Sequence, residues 1–186
     1  MLTKNINFKN FKIIVSNKKV KKDIKVLLKT KSEILKSLTL SYNYSYTKKT
    51  LNILKKNSII RIIGMGGSIL GTEAIYNFLK YKVKKKLIFI NNIKSNFEKI
   101  KNSNKIINII ISKSGNTLET ISNTNIFVKR NQKNIFITGE NNNYLRAQAE
   151  KLKGEIINHN NYIGGRYSVL SEVGMLPAEL MGLNEK

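Results

Sequence analysis

Short apolar runs alternate with longer, more polar segments along the last two thirds of the chain. The runs are rich in isoleucine, and the segments between them are compatible with helices. Strands that alternate with helices are typical of a parallel sheet covered by helices on both faces. The predicted strands are 59–63, 87–90, 106–111, 135–138 and 155–157, and the predicted helices are 68–80, 94–101, 118–130 and 143–153. We therefore predict an α/β fold with an open parallel sheet of about five strands.

The first 57 residues have a different pattern and contain no glycine. Apolar residues recur at helical spacing over 18–38 and predict an amphipathic helix, and 47–56 predicts a short second helix. We expect two unequal units, a lysine-rich helical segment at 1–57 and an α/β domain at 58–186. Between these two helices, Tyr42, Tyr44 and Tyr46 alternate with polar residues, and this pattern predicts a short extended connector.

The polar face of the predicted helix at 18–38 is rich in lysine. A basic amphipathic helix can lie on a membrane surface, but we favour a helix that packs against the α/β domain with its lysines in solvent. No apolar stretch reaches the ~20 residues needed to cross a bilayer. The first residues also lack the apolar core of a secretory signal. We therefore expect a cytoplasmic protein without a membrane partner.

The formal net charge of +23 would attract polyanions, so a nucleic-acid binder is one candidate function. However, only four of the 34 basic residues are arginine, which base and phosphate recognition favour. Lysine, asparagine and isoleucine are all abundant here, and all three are encoded by A/T-rich codons. Because mutational bias explains the lysine excess, we expect no specific nucleic-acid partner.

Residues 112–117, Ser-Lys-Ser-Gly-Asn-Thr, separate a predicted strand from a predicted helix and are called the phosphate loop below. Hydroxyl and ammonium groups give a phosphate charge-assisted hydrogen bonds of about 1.5–3 kcal/mol each. Gly115 allows the backbone to approach a ligand closely, and the following helix directs free N–H groups toward an anion. The candidate donor side chains are Ser112, Lys113, Ser114 and Thr117. The alternative is an ordinary serine/threonine helix start.

The turn at 64–68, Gly-Met-Gly-Gly-Ser, follows the first predicted strand. A dinucleotide-binding fingerprint would need glycine at the position of Ile69, and no acidic residue ends the next predicted strand. A nicotinamide cofactor is therefore disfavoured. The chain has no cysteine, which excludes disulfides and thiolate metal sites. We therefore expect no cofactor or metal. The turn at 64–68 is instead expected to let the backbone approach a polar ligand closely, with Ser68 capping the following helix.

A third turn at 164–168, Gly-Gly-Arg-Tyr-Ser, holds one of the few arginines between flexible and polar residues. Arg166 could lean over a bound substrate and stabilise an oxyanion; the alternative is a surface ion pair. In an open parallel sheet all three turns would lie at the edge where such sheets bind ligands. Further along, Pro177 is expected to start or kink a final helix.

The three turns together resemble the phosphoglucose isomerase family, whose flavodoxin-like sugar-isomerase domain binds sugar phosphates. The resemblance rests on residues 64–71, 112–120 and 164–171, and it covers 58–186. The first two motifs are shared by a wider superfamily of sugar isomerases. The Gly-Gly-Arg-Tyr-Ser-Val-Leu-Ser stretch is much narrower and points to this family.

The resemblance implies an aldose–ketose isomerase of glycolysis and gluconeogenesis that interconverts glucose 6-phosphate and fructose 6-phosphate. It implies that Arg166, presented by Gly165, stabilises the enediolate intermediate. Family members are usually homodimers, so a homodimer of the complete enzyme is expected. The residues that the resemblance assigns to the substrate phosphate are Ser112, Lys113, Ser114 and Thr117, with help from Gly67 and Ser68.

Family members are longer than this chain, and their general base and ring-opening groups come from the later half. His159 matches no family position, and we do not assign the base to Glu119, Glu172 or Glu179. We therefore expect an incomplete chain that holds the phosphate-binding half, binds sugar phosphates and barely turns them over. The alternative is a non-catalytic sugar-phosphate sensor.

Overall fold

The structure, a computed structural model, describes residues 17–30, 32–39, 41–93 and 105–184. The helix predicted at 94–101 lies outside the described residues. The strands are β1 (Ile59–Gly64), β2 (Lys86–Ile90), β3 (Ile106–Ser112), β4 (Lys133–Thr138) and β5 (Glu155–Asn158). The helices of the described residues are α1 (Lys18–Lys29), α2 (Glu33–Lys36), α3 (Lys48–Leu54), α4 (Leu70–Leu79), α5 (Leu118–Phe127), α6 (Tyr144–Leu152) and α7 (Glu172–Leu180).

All five strands pair in parallel in the order β2-β1-β3-β4-β5. This is the flavodoxin-like order, so the predicted fold class is confirmed. β3 lies at the centre, and every residue of it is buried. The chain leaves β1 toward one edge of the sheet and β3 toward the other. The carboxyl ends of β1 and β3 therefore flank the crevice in which such sheets bind ligands.

Helices cover both faces of the sheet because strand side chains alternate between the faces. Ile62 faces the core formed with α3, α4 and α7, whereas Ile63 faces the core formed with α5 and α6. Both residues are fully buried. Isoleucine suits this position because its branched side chain fits a pleated surface that is covered on both sides.

A row of polar side chains crosses the sheet beneath α5. Arg61, Asn108 and Asn134 are register partners on β1, β3 and β4, and all three are buried. Arg61 donates to the Asn108 side chain at 3.1 Å and to the last carbonyl of α5, on Phe127, at 2.7 Å. Asn108 in turn donates to the Asn134 side chain at 2.7 Å. Burial lowers the pKa of Arg61, yet arginine stays charged in proteins, so Asn108 compensates a buried cation.

Pro177 does not start α7 but lies inside it, and the kink that was the other expectation stays a prediction. Because proline has no N–H, the carbonyl four residues earlier, on Val173, loses its helical partner. The buried Thr72 hydroxyl of α4 donates to that carbonyl at 3.1 Å. This bond ties α4 to α7 and removes the cost of the unpaired carbonyl.

The tyrosine segment, residues 42–46, crosses the start of α7. Tyr46, together with Leu51 and Leu54 of α3, belongs to the same core as the sheet. The rings of Tyr44 and Tyr46 stack with centroids 5.0 Å apart. Residues 42–54 therefore contribute to the core of the α/β domain. The division of the chain into two units stays a prediction.

The single helix predicted at 18–38 is wrong. Thr30 and Ser32 have extended backbone, and α1 ends before them while α2 starts after them. The Thr30 hydroxyl and N–H both bond to the Leu27 carbonyl, which closes α1. α1 does not show the packing expected for this helix, since none of its residues is buried.

Replacing Asn108 should expose the cost of the buried Arg61 charge. We expect Asn108→Leu to lower the free energy of unfolding by about 3 kcal/mol or more, because Arg61 and Asn134 both lose a partner. The double variant Arg61→Leu/Asn108→Leu should lose less, since it also removes the charge. Denaturant unfolding measures both, and a double variant less stable than Asn108→Leu would contradict this account.

Replacing Thr72 should test the bond between α4 and α7. Thr72→Val keeps the shape but leaves the Val173 carbonyl unpaired, so we expect a loss of about 1–3 kcal/mol in unfolding free energy. Thr72→Ser keeps the hydroxyl and serves as the control in thermal or denaturant unfolding. A larger loss in Thr72→Ser than in Thr72→Val would show that the methyl group, not the hydrogen bond, matters here.

Candidate phosphate-binding site

One pocket of about 460 Å³ opens at the carboxyl edge of the sheet, where β1, β3 and β4 end. Five of its lining side chains are those that the sequence assigns to phosphate binding. They are Ser68, Ser112, Lys113, Ser114 and Thr117. The pocket is also lined by residues that the sequence analysis did not select, namely Gly139, Asn141, Asn143 and Asn161.

Three hydroxyl groups of the phosphate loop cluster in this pocket. Ser112 Oγ lies 2.9 Å from Thr117 Oγ1, and Ser114 Oγ lies 3.5 Å from each of the other two oxygens. Thr117 stands at the N-cap of α5, but its side chain makes no capping hydrogen bond. Ser114 Oγ also accepts from the Asn116 N–H at 3.3 Å. The three hydroxyls therefore lie together among the lining residues of the pocket, and their role as ligand donors stays a prediction.

The phosphate loop is held against the start of α6. Gly115 has φ +67°, and a Cβ atom there would lie 1.9 Å from the Asn143 side chain, so only glycine fits. The Leu145 N–H donates to the Gly115 carbonyl at 3.0 Å, and the Tyr144 N–H donates to the Asn116 side chain at 3.1 Å. These bonds give the loop a fixed shape before any ligand arrives.

Lys113 brings an ammonium group to the side of the pocket. Its Nζ donates to the main-chain carbonyl of Asn161 at 2.6 Å. The Lys113 carbonyl accepts from the Gly139 N–H at 3.0 Å, so the residue is held at both ends. An ammonium group has three donors, and two of them remain to bind a phosphate.

The first and third turns contact each other directly. A Cβ atom on Gly67 would lie 2.2 Å from the Gly165 carbonyl oxygen, so these two turns need glycine to approach this closely. The main-chain nitrogen of Arg166 takes part in the same contact, while the residue is exposed to solvent and is not among the lining residues of the pocket. The structure thus brings Gly67, Ser68 and Gly165 together, and the catalytic role of Arg166 stays a prediction.

The capping role expected for Ser68 is wrong. α4 begins only at Leu70, its N-cap is Ile69, and no side chain caps it. Ser68 instead ends a short 3-10 turn, Gly66–Ser68, which separates the strand tip from the helix. This turn directs the Ser68 side chain into the pocket.

Three of the acid–base residues considered in the sequence analysis, His159, Glu172 and Glu179, make hydrogen bonds within the protein. His159 is buried, with Nδ1 3.1 Å from the Asn160 carbonyl oxygen, and burial lowers its pKa. Glu172 and Glu179 accept hydrogen bonds from the hydroxyls of Tyr42 and Tyr46, respectively. Burial and the Glu172 carboxylate raise the pKa of Tyr42, so its hydroxyl stays protonated and donates.

The unpredicted lining residues follow the ends of β4 and β5. Gly139 comes directly after β4, and Asn143 caps α6 by accepting from the Arg146 N–H at 3.1 Å. The sequence could have indicated these lining residues, because residues just after a predicted parallel strand lie at the ligand-binding edge of the sheet.

The arrangement favours an anionic ligand over a metal ion. Its donors are hydroxyls, an ammonium group and the first amides of α5, which have no acceptor within the helix. No group of three His, Cys, Asp or Glu side chains suited to a metal occurs in the described part of the chain.

Of the helices described, none has the length and apolar character of a membrane-spanning segment.

Solved structures share this fold at low sequence identity. A crystal structure of a hypothetical protein from Thermus thermophilus aligns with a TM-score of 0.65 and 20% identity, over 90% of this chain and 44% of that one. The tagatose-6-phosphate ketose/aldose isomerase from Escherichia coli aligns with a TM-score of 0.52 and 17% identity, over 70% of this chain and 40% of that one. The structure therefore has the sugar-isomerase type of α/β fold.

Sequence comparison is more specific. A glucose-6-phosphate isomerase of Methanocaldococcus jannaschii is 38% identical over 135 residues, which are 66% of this chain and 33% of the relative. The chain spans about a third of the length of the curated relatives it matches. The sequence profile of the phosphoglucose isomerase family matches residues 5–185. Since that match includes all three glycine-containing turns and nearly the whole chain, the chain belongs to the phosphoglucose isomerase family.

Proposed function

We propose that this chain forms the phosphate-binding part of a glucose-6-phosphate isomerase, which interconverts glucose 6-phosphate and fructose 6-phosphate. The observation that carries the proposal is the convergence of three hydroxyls and the Lys113 ammonium on one pocket at the switch point of the sheet. A sugar phosphate is a small dianion, and this donor set matches its oxygens. The pocket volume of about 460 Å³ is in the range of small-molecule sites.

In the proposed complex, the phosphate accepts from Ser112, Ser114 and Thr117, while Lys113 supplies the charge. The N-terminus of α5 adds roughly 0.3–2 kcal/mol through its unpaired amides and dipole. The sugar then extends from the phosphate loop toward the contact between Gly67 and Gly165. This places its carbon skeleton beside the exposed Arg166.

Isomerisation moves a proton between C1 and C2 and places negative charge on neighbouring oxygens. A guanidinium fixed beside those oxygens stabilises the enediolate more than the substrate, which is the condition for faster turnover. We assign this role to Arg166. We assign the general base to no residue of this chain, because the family resemblance implies a base from the later part of the longer relatives, which this chain does not span. His159, Glu172 and Glu179 are also engaged in other contacts.

Removing the Lys113 ammonium should mainly weaken binding. We expect Lys113→Ala to raise the Kd for fructose 6-phosphate about tenfold to hundredfold, which corresponds to one charge-assisted hydrogen bond. Isothermal titration calorimetry measures the Kd. Lys151→Ala is the matched control, because it removes the same charge from the exposed side of α6. Wild-type protein without saturable binding at millimolar ligand would contradict the proposed function.

Removing the Arg166 guanidinium should mainly lower turnover. In the catalytically active protein, Arg166→Ala should reduce kcat about 100-fold to 1,000-fold, as expected when a donor to a developing oxyanion is lost. The Kd for fructose 6-phosphate should change much less. A coupled assay of fructose 6-phosphate conversion gives kcat, and an unchanged kcat with a weakened Kd would show that Arg166 only binds the ground state.

A further inference from the structure

A buried carboxylate stands at the start of α7, an element that no assigned function uses. Glu172 is the first residue of α7 and is fully buried. Its donors are the Tyr42 hydroxyl at 3.0 Å and the Ser45 N–H and hydroxyl at 2.9 and 3.0 Å. Because these donors all come from the tyrosine segment, the carboxylate fixes that segment in place.

Tyr42 makes a second contact that leads toward the pocket. Asn160 Nδ2 donates to the Tyr42 hydroxyl oxygen at 2.6 Å, so this hydroxyl accepts from one loop while it donates to Glu172. Asn160 and Tyr42 are 118 residues apart in the chain. The Asn160 carbonyl also accepts from the Ile163 N–H at 3.1 Å, which closes the turn that follows β5.

The next residue in that turn holds the phosphate-binding cation. The Asn161 carbonyl accepts from Lys113 Nζ at 2.6 Å, and Asn161 lines the pocket. A lysine side chain that is already held in one position loses less conformational freedom when it binds a ligand. The position of the Asn161 carbonyl therefore affects affinity without any contact between Glu172 and the ligand.

We infer that Tyr42, held by the buried carboxylate of Glu172, is a positioning residue of the phosphate pocket. It fixes Asn160, and the adjacent Asn161 carbonyl then holds the Lys113 ammonium toward the ligand. This inference rests on the proposed function for its effect on affinity. The positioning of the turn itself is a property of the protein without ligand.

The first test uses the protein without ligand. Tyr42→Phe removes the acceptor for Asn160, so hydrogen exchange of the Ile163 amide should become about threefold to tenfold faster, as for the loss of one hydrogen bond. Asn160→Ala should have the same effect while leaving the Glu172 bonds in place. Tyr46→Phe is the matched control, because its hydroxyl donates to Glu179 of the same helix at 2.8 Å. Unchanged exchange at Ile163 in both Tyr42→Phe and Asn160→Ala would overturn the inference.

The second test measures the Kd for fructose 6-phosphate by calorimetry. Tyr42→Phe should raise this Kd about threefold to tenfold. Tyr46→Phe should leave the Kd within about twofold of the wild-type value, even if both variants are less stable than the wild type. In the Lys113→Ala background Tyr42→Phe should have almost no effect, because the two residues act through one path. An equal effect in both backgrounds would overturn the inference. Absence of wild-type binding would instead contradict the proposed function, and the exchange test would still decide the positioning role.

Discussion

Parallel pairing of all five strands is the constraint on which the site depends. Every strand then ends at the same edge, so the residues after β1, β3, β4 and β5 become neighbours although they are far apart in the chain. β3 is buried along its whole length, so its side chains can meet a ligand only at its carboxyl end, where Ser112 stands. The same geometry that buries the isoleucines therefore gathers the hydroxyls.

The affinity proposed for the pocket comes from local geometry rather than from the overall charge of the chain. Among the basic residues that the structure describes, only Lys113 lines the pocket. Its neighbours are the neutral hydroxyls of the phosphate loop, and the Gly139 and Leu145 N–H groups hold that loop by donating to its carbonyls. Exposed lysines elsewhere attract anions weakly, and salt screens that attraction. A dianion at the strand tips meets fixed donors at hydrogen-bonding distance, which screening affects much less.

The fold could be predicted because it depends on near neighbours in the sequence. Isoleucine runs predicted every strand of the sheet, and the phosphate loop was recognised from adjacent residues. Predictions failed where a short local contact competed with a pattern. Thr30 closes α1 inside a continuous apolar repeat, and a 3-10 turn takes Ser68 away from the cap of α4. The contacts of Tyr42 and Glu172 could not be predicted, because their partners lie more than a hundred residues away.

Glu172 shows why the first 57 residues matter to the site. A buried carboxylate costs stability unless polar donors compensate it, and here the tyrosine segment supplies those donors. An apolar residue at the start of α7 would avoid that cost, but it could not orient the Tyr42 hydroxyl toward Asn160. A neutral glutamine would have one acceptor oxygen instead of two and would lack the charge that orders three donors together. The carboxylate therefore favours one arrangement of the turn after β5, and through it one position of Lys113.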